Sequence, residues 1–385
     1  MKIGGLTWWR NNYGSILQAY ALQQKISGIS GMEYEIINQY GKKITSVDNL
    51  KNKIRSIGVR KTVKRAFWKI GLRRLRERVY NIQSFIDHNM VISSEVYDQE
   101  SIQNANSKYD GFICGSDQVW NPAFVPIGDM YWISFAGKEK RKIAYAPSMG
   151  TASFDARERL KIRDNLKSFR FISCREESGT KAINEIIGED RCVTVLDPTM
   201  LMDALEWDKI ASERKYREDY IFAYMLRGSR EQRRLIEQFA RKMKMPIVTI
   251  PILDPDCVEL YDLRFGQYKC WDASPPDFIS LIKNARYVFG DSFHCMVFSC
   301  IYHVPFFVFP KMRENKKTDY AQISRMTDFL SMTGIKDRIL YPESSMEDIV
   351  NDGKIDWATV DSVLQRKREF SLDYLYSALK DGMSE

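Results

Sequence analysis

The feature that most constrains the fold is the alternation of short apolar runs with helical segments through both halves of the chain. In the first half, the strand-like "KIGGLTW" leads into the helical "YGSILQAYALQQKIS". The alternation restarts near residue 218 with the strand-like "DYIFAYML" and the helical "SREQRRLIEQFARKMK". Because such alternation builds parallel sheets covered by helices, the sequence predicts an α/β protein with two Rossmann-like domains facing a cleft.

The same alternation divides the chain into regions. We predict an N-terminal Rossmann-like domain over residues 1–205, a C-terminal Rossmann-like domain over 206–350, and a helix over 351–385 that packs back across both. A basic helical insertion interrupts the first domain at about residues 42–108. Ligands of open parallel sheets bind outside the carboxyl ends of the strands, so the polar junctions there supply the candidate site residues.

Composition excludes several classes of protein. With 44% hydrophobic and 28% charged residues, and no apolar run near the ~18 to 20 residues that span a bilayer, we expect a cytoplasmic globular protein. The first residues, "MKIGGLTWWRNNYG", lack the pattern of a secretory signal peptide. The seven cysteines form no C-x-x-C pair, which predicts reduced thiols and argues against zinc. We predict neither a metal nor a cofactor.

Positive charge is concentrated in one segment. Residues 42–78 hold 14 Lys and Arg against two acids, and Val63, Phe67 and Ile70 follow helical spacing. Two interpretations stay open: a solvated insertion that docks its apolar stripe on the domain, or an amphipathic basic helix. The second would lie on an anionic membrane surface through residues 51–78, or against a polyanionic acceptor. Because the rest of the chain lacks a basic stripe, we predict no nucleic-acid partner.

A histidine lies where a buried strand gives way to a helix, in "GDSFHCMVFSCIYH". Ser292 is a plausible N-cap, which leaves His294 in the first helical turn. There the free N–H groups and the helix dipole favour an anion, and an imidazole can protonate or hydrogen-bond a phosphate or carboxylate. The alternative is a half-buried structural histidine that bonds a carbonyl.

A second junction is "GFICGSDQVWNP", where an apolar strand ends. Gly115 would let the backbone approach a ligand, and Ser116 could bond one of its oxygens. Asp117 would then be a carboxylate at the cleft edge, able to take a proton from a hydroxyl. The alternative is an Asx-turn that holds the loop, with Trp120 filling the core.

Two further junctions are polar. "WWRNNYGSILQ" places Asn12 and Ser15 beside Gly14 at a strand-to-helix turn, which suits close approach to a phosphate although it is no Walker loop. In "SCREESG", Arg175 follows a strand directly and could hold a carboxylate or phosphate with two hydrogen bonds. The alternative is a structural ion pair with one of the two glutamates that follow it.

Together these junctions resemble a known family, the polysaccharide pyruvyl transferases. The similar motifs are "NNYGSILQAYALQ", "GSDQVWN", "CREESG", "DPTML", "SFH" before a helix, "VPFFVF" and "ISRMTDFL". Their order and spacing cover roughly residues 1–335, apart from the basic insertion.

The resemblance implies a fold similar to GT-B glycosyltransferases. It also implies phosphoenolpyruvate as donor and co-substrate, a pair of sugar hydroxyls as acceptor, and a pyruvate ketal and phosphate as products. His294 matches the histidine that the family places against the donor, and Arg175 matches the arginine that meets the donor's anionic groups.

One departure from the family pattern concerns the donor. Many members have Arg-Leu-His where this chain has Ser292-Phe293-His294. We assign Ser292 and Phe293 to donor binding together with Arg175, and expect Lys311, Arg313 or Arg325 to supply the missing charge. The acceptor or loop residues predicted on the other side are Asn12, Gly14, Ser15, Gly115, Ser116 and Gln118.

The sequence therefore predicts a pyruvyl transferase acting on a sugar, lipid-linked, in a bacterial surface-polysaccharide precursor, with His294 as acid and Asp117 as base. We place it in the cytoplasm or at the inner face of the membrane. Two alternatives remain: a GT-B glycosyltransferase that uses a nucleotide sugar, and a non-catalytic glycan- or lipid-binding subunit.

Overall fold

The structure is a computed structural model of the whole chain. It describes residues 1–10, 12–39, 73–252, 260–311, 320–341, 344–350 and 354–381.

Two parallel sheets form the framework. The N-terminal sheet has seven strands in the order β3-β2-β1-β4-β5-β6-β7, and the C-terminal sheet has five in the order β10-β9-β8-β11-β12. The strands are β1 (Lys2–Leu6), β2 (Glu33–Gln39), β3 (Ile92–Tyr97), β4 (Gly111–Cys114), β5 (Arg141–Ala144), β6 (Phe171–Cys174), β7 (Cys192–Thr194), β8 (Ile221–Tyr224), β9 (Ile247–Thr249), β10 (Tyr268–Lys269), β11 (Tyr287–Gly290) and β12 (Phe306–Val308). The α/β class predicted from the alternation is confirmed.

Helices follow most strands and cover the sheets. They are α1 (Tyr13–Ser27), α2 (Arg73–Asn89), α3 (Ala156–Leu166), α4 (Glu177–Ile187), α5 (Ala204–Asp208), α6 (Arg230–Met243), α7 (Pro275–Lys283), α8 (Phe293–Ile301), α9 (Tyr320–Met332), α10 (Met346–Val350) and α11 (Trp357–Lys380). Local sequence sets several starts: Asp155, Ser229 and Ser274 each form a capping box at the N-terminus of α3, α6 and α7. Within the described ranges, no helix has both the length and the apolarity to cross a bilayer.

The stretch predicted as a basic helical insertion, about residues 42–108, is not purely helical. It contains α2 and then β3, which pairs with β2 at the edge of the N-terminal sheet. The sequence pattern does not predict β3 because this strand is mostly half-buried or exposed and carries polar residues. Val63, Phe67 and Ile70 lie outside the described residues, as does most of the predicted membrane contact.

The two sheets are joined by direct contacts near the start of the chain. The buried Arg78 guanidinium of α2 donates hydrogen bonds to the carbonyls of Pro251, Cys270 and Trp271, which follow β9 and β10. In α1, the Tyr13 ring stacks on Phe278 of α7 at 5.1 Å between ring centroids. The beginning of the N-terminal half therefore packs against the C-terminal sheet and its helices.

The last helix, α11, contacts both halves of the chain. Its Tyr374 hydroxyl donates to the Ala144 carbonyl of β5 at 3.0 Å. Its Asp361 carboxylate lies 2.8 Å from Nε2 of His303, which follows α8. The C-terminal segment thus ties the two sheets together on a second side.

Candidate active site

His294 lies at the junction of β11 and α8, as its sequence position predicts. Ser292 has the extended backbone of an N-cap, but its side chain makes no capping hydrogen bond. The helix that follows is apolar and buried, so the ring is held in the first turn with 6% of the residue exposed. The Ser292 hydroxyl and the first N–H groups of α8 are therefore not used up by a side-chain cap.

The imidazole faces a carboxylate rather than hydrocarbon. Nε2 of His294 lies 3.5 Å from Oδ2 of Asp197, a fully buried residue just beyond β7, and makes no hydrogen bond to any residue that the structure describes. The contact brings the two groups together at ion-pair distance while leaving Nε2 able to bond another atom.

Asp197 is the centre of a buried polar network. Its Oδ2 accepts hydrogen bonds from Ser116 Oγ and Arg175 Nη1, both at 2.8 Å, and its Oδ1 accepts from the backbone and hydroxyl of Thr199. Burial by itself raises the pKa of this carboxyl, but the charges of His294 and Arg175 outweigh burial and hold the pKa well below its usual range. Asp197 is therefore held as an anion beside the Arg175 guanidinium and the imidazole.

Arg175 has donors left over. Its guanidinium stacks on the Phe293 ring at 4.3 Å, and its buried Nε and Nη2 have no hydrogen-bond partner in the described part of the chain. Burial lowers the pKa of this group, but the carboxylates of Asp197 and Glu176 outweigh it and the net shift is upward. The predicted alternative, an ion pair with a following glutamate, is only the minor contact, because Glu176 Oε2 lies 3.9 Å from Nε.

Two more cations continue from Arg175: Arg325 lies near Arg175, and Lys311 lies near Arg325. The buried Arg325 of α9 has an Nε without a hydrogen-bond partner among the described residues, and burial together with the charge of Arg175 lowers its pKa to about 10. Burial and then the charge of Arg325 lower the pKa of the half-buried Lys311 to about 8. Adjacent like charges cost free energy, so a bound anion would stabilise this group of cations. Arg313, the third candidate for the missing charge, lies outside the described residues.

Gly14 is required by the close approach of His294, and the predicted approach of a phosphate to it stays a prediction. A Cβ atom placed on Gly14 would lie 2.0 Å from Nδ1 of His294, far inside van der Waals contact. The preceding Asn12 is the N-cap of α1, and its Oδ1 accepts a hydrogen bond from the Gly14 N–H at 2.9 Å. Because Asn12 caps α1 and Gly14 has no side chain, the start of α1 can lie directly against the imidazole.

Asp117 lies at the neighbouring strand end. Its backbone has a φ of 74°, uncommon for a residue with a side chain, and its carboxylate accepts hydrogen bonds from Ser15 Oγ at 2.5 Å and from the Gln118 N–H at 2.9 Å. The carboxylate thus holds the loop, but through the N–H of the next residue rather than the one two residues on that an Asx-turn uses. Gln118 itself turns into the loop, where its Oε1 accepts from Asn121.

Gly115 has a packing role, and its predicted close approach to a ligand stays a prediction. A Cβ placed on it would lie 3.0 Å from Cβ of Thr7, so the residue allows β1 and β4 to approach each other. Trp120 is fully buried and stacks on Trp132 at 4.6 Å between centroids, as the core interpretation predicted.

A comparison with protein families identifies the family of this chain. The sequence pattern of the family described as "Polysaccharide pyruvyl transferase" matches residues 12–310, more than three quarters of the chain. The chain belongs to the polysaccharide pyruvyl transferase family.

Solved structures similar to this pyruvyl transferase family member show its fold. A protein assigned as a UDP-N-acetylglucosamine 2-epimerase from Listeria monocytogenes aligns with a TM-score of 0.57 at 8% identity, covering 100% of this chain and 97% of that one. The UDP-GlcNAc 2-epimerase from Methanocaldococcus jannaschii aligns with a TM-score of 0.55 at 13% identity, covering 99% and 100%. Comparison with curated proteins finds no match. At such identities the likeness establishes a GT-B-like arrangement and nothing about the reaction.

The departure from the family pattern predicted from the sequence lies inside the matched region, where Ser292 stands at the position of the expected arginine. Lys311 and Arg325, two of the cations expected to supply the missing charge, lie beyond the match, which ends at residue 310. Of these two, Arg325 lies beside Arg175. A cavity of about 700 Å³ opens there, with Arg175, Phe293 and Arg325 in its wall.

The structure brings most of the predicted residues together. Ser116, Arg175 and His294 surround Asp197, Phe293 stacks on Arg175, and Gly14 touches the imidazole from α1. Asp197 itself was not among the predicted residues. The signal was present in "DPTML", because a carboxylate directly after β7 must lie at the same sheet edge as Arg175 after β6.

Proposed function

We propose that this protein transfers the enolpyruvyl group of phosphoenolpyruvate to two hydroxyls of a sugar in a bacterial surface-polysaccharide precursor. The products are a pyruvate ketal and phosphate. One observation carries the proposal: in a member of this family, an imidazole with an open Nε2 lies beside a buried carboxylate and within one network with Arg175.

The donor fits the charges of the site. Phosphoenolpyruvate carries a carboxylate and a phosphate, and the cations of Arg175, Arg325 and Lys311 would neutralise them. Charge-assisted hydrogen bonds from the unpartnered guanidinium atoms would add directional contacts. The first N–H groups of α8 favour an anion at the same place.

The reaction needs one proton delivered and two hydroxyl protons removed. His294 would donate a proton to the methylene carbon, which leaves positive charge at C2 beside the donor's carboxylate. One sugar hydroxyl adds to C2, and the second displaces phosphate, so two C–O bonds form and one C–O bond to phosphate breaks. Asp197 would stabilise the cationic imidazole electrostatically, and Asp117 is placed by Ser15 as the candidate base.

The alternative donor, a nucleotide sugar, is less well accommodated. Nucleotides in open α/β sheets bind at the carboxyl ends of strands. Here Arg78 fills the ends of β9 and β10 with three hydrogen bonds to carbonyls, which leaves less room for a nucleotide over these strands. The lipid linkage of the acceptor, and contact of residues 51–78 with an anionic membrane, remain predictions from the sequence.

The proposal is tested with His294→Ala and wild-type protein side by side. Phosphate release from phosphoenolpyruvate, measured with a panel of lipid-linked saccharides, should fall by about 10² to 10⁴-fold, the usual contribution of an acid–base group. Scanning fluorimetry should show that phosphoenolpyruvate raises the melting temperature of both proteins, whereas a uridine diphosphate sugar raises neither. A variant that keeps more than about a tenth of the wild-type rate contradicts the role of His294. A response to the nucleotide sugar alone contradicts the donor.

A further inference from the structure

A second cavity lies at the carboxyl edge of the N-terminal sheet, away from the cations. Its volume is about 410 Å³, and we name it the Trp8 pocket. Its walls come from the residues after β1, β2 and β3 and from the loop after β4. They are Trp8, Gln39, Asp98, Gln99, Glu100, Phe124, Val125, Pro126, Asp129, Met130 and Tyr131.

The Trp8 pocket has aromatic walls that are open to a ligand. Phe124 is 46% exposed, and its ring meets the half-buried Trp8 ring edge to face at 6.2 Å between centroids. Such rings cover the apolar faces of a ligand while polar groups fix its orientation. Nothing in the packing of the core requires a phenylalanine so exposed.

The charged groups among the described lining residues of the Trp8 pocket are all hydrogen-bond acceptors. Three of its side chains are carboxylates, from Asp98, Glu100 and Asp129, and none of the described lining residues is Lys or Arg. Gln39 donates its amide hydrogens to Thr7 O and Tyr131 Oη, and within the described residues its buried Oε1 has no partner. Sugar hydroxyls are the donors that such a set satisfies, whereas a carboxylate or phosphate on the ligand would be repelled.

The pocket is also in reach of the reaction. Strands β1 and β4 are neighbours, so the residues after them are about 5 Å apart across the sheet. Trp8 follows β1 and Asp117 follows β4. Thr7 Oγ1, next to Trp8, donates to the carbonyl of Ser116 at 2.8 Å, next to Asp117. A sugar seated against Trp8 would therefore place its hydroxyls near the candidate base.

We propose that the Trp8 pocket binds the acceptor, and that the sugar unit it holds is uncharged or amino-bearing rather than acidic. The inference rests on the proposed function for the identity of the reaction, and on the pocket alone for the class of ligand. The acceptor would then lie over the ends of β1, β2 and β3, which we call the acceptor end, and the donor over the ends of β6 and β7, which we call the donor end.

Saturation-transfer NMR with the full chain tests the pocket directly. The probes are methyl glycosides of glucose, galactose and N-acetylglucosamine, with galacturonate as the acidic counterpart. Phe124→Ala should reduce the neutral-sugar signal at least about fivefold, since burial of an aromatic contact contributes on the order of 1 kcal/mol or more. With wild-type protein, galacturonate should give a weaker signal than the neutral glycosides. Asp129→Asn removes one carboxylate from the pocket and should reduce the difference between the two signals.

Phe370→Ala is the matched comparison. Phe370 is also 46% exposed but lines the larger cavity beside Arg175, so its variant reports on sugar binding there. Loss of the sugar signal in Phe370→Ala and not in Phe124→Ala overturns the proposal, as does equal binding of galacturonate. The shift in melting temperature caused by phosphoenolpyruvate is measured in every variant. If that shift is missing in wild-type protein, the proposed donor is wrong, whereas the sugar result still decides the pocket.

Discussion

The two cavities at the carboxyl edge of the N-terminal sheet differ in charge and in unsatisfied groups. The larger one contains four cationic side chains against three acids, and within the described residues the guanidinium groups of Arg175 and Arg325 there keep atoms without partners. The Trp8 pocket has three acids and no cation among its described lining residues, and its unpartnered atom is an acceptor. Under the two proposals above, this difference would direct an anionic donor to one part of the sheet edge and an uncharged acceptor to the other.

Among the variants that test the difference between the two cavities, we expect the largest fall in activity from Asp197→Asn. This substitution removes the carboxylate that contacts both His294 and Arg175. His294 and Arg175 would lose their shared partner, so we expect kcat to fall by about 10²-fold or more. Breaking a buried ion pair by removing one partner typically costs about 3–5 kcal/mol, so a lower melting temperature should accompany the loss.

Asp203→Asn is the control for Asp197→Asn. Asp203 caps α5, accepts from the Glu206 N–H at 2.8 Å, and can be replaced by asparagine without loss of the cap. If Asp197→Asn keeps wild-type kcat at a temperature where it is folded, Asp197 does not serve the histidine.

A smaller effect is expected from Gly14→Ala, which tests the contact between α1 and the imidazole. The new methyl group would displace His294, because its Cβ would lie 2.0 Å from Nδ1. We expect kcat to fall about tenfold or more, in line with displacement of an acid–base group, while phosphoenolpyruvate still raises the melting temperature. Sugar binding in the Trp8 pocket should not change.

Gly28→Ala, at the other end of α1, is the matched control. Gly28 has a helical backbone, so alanine fits there with only a small adjustment. Equal rates for the two glycine variants would show that the close approach at Gly14 has no catalytic consequence.

The smallest expected effect is a change with pH in the affinity for phosphoenolpyruvate, which involves the donor end only. A lysine is charged below its pKa, and that of Lys311 is lowered to about 8, so this cation is present at pH 7 and mostly absent at pH 9. The Kd for phosphoenolpyruvate, measured by calorimetry, should therefore rise by up to about tenfold between these pH values. Lys311→Met should bind more weakly at pH 7 and show little further rise. A rise of the same size in the variant would assign the titration to another group.

The fold was largely predictable because its signals are local. Strand–helix alternation and capping residues such as Ser274 are visible in short stretches of sequence. Strand β3 was missed for the opposite reason: an edge strand with exposed polar residues has no apolar period to detect.

The candidate site was predictable in its residue types but not in its partners. Arg175 and His294 were found from their positions after strands. The contact of Arg175 with Asp197 follows from the pairing of β6 with β7, whereas the contact of His294 with Asp197 depends on how the two sheets pack. Likewise, the close approach of Gly14 to a side chain 280 positions away is encoded by no local pattern.

The contact between Gly14 and His294 also bears on how such proteins can diversify. One of these residues opens the first helix and the other begins a helix of the second sheet, so each half of the chain carries part of a single fitted surface. A chimera that joins the N-terminal half of one relative to the C-terminal half of another would combine a Gly14 region and a His294 region that were not fitted to each other. We expect recombinants with breakpoints between the two residues to fold yet turn over poorly, unless compensating changes restore that fit.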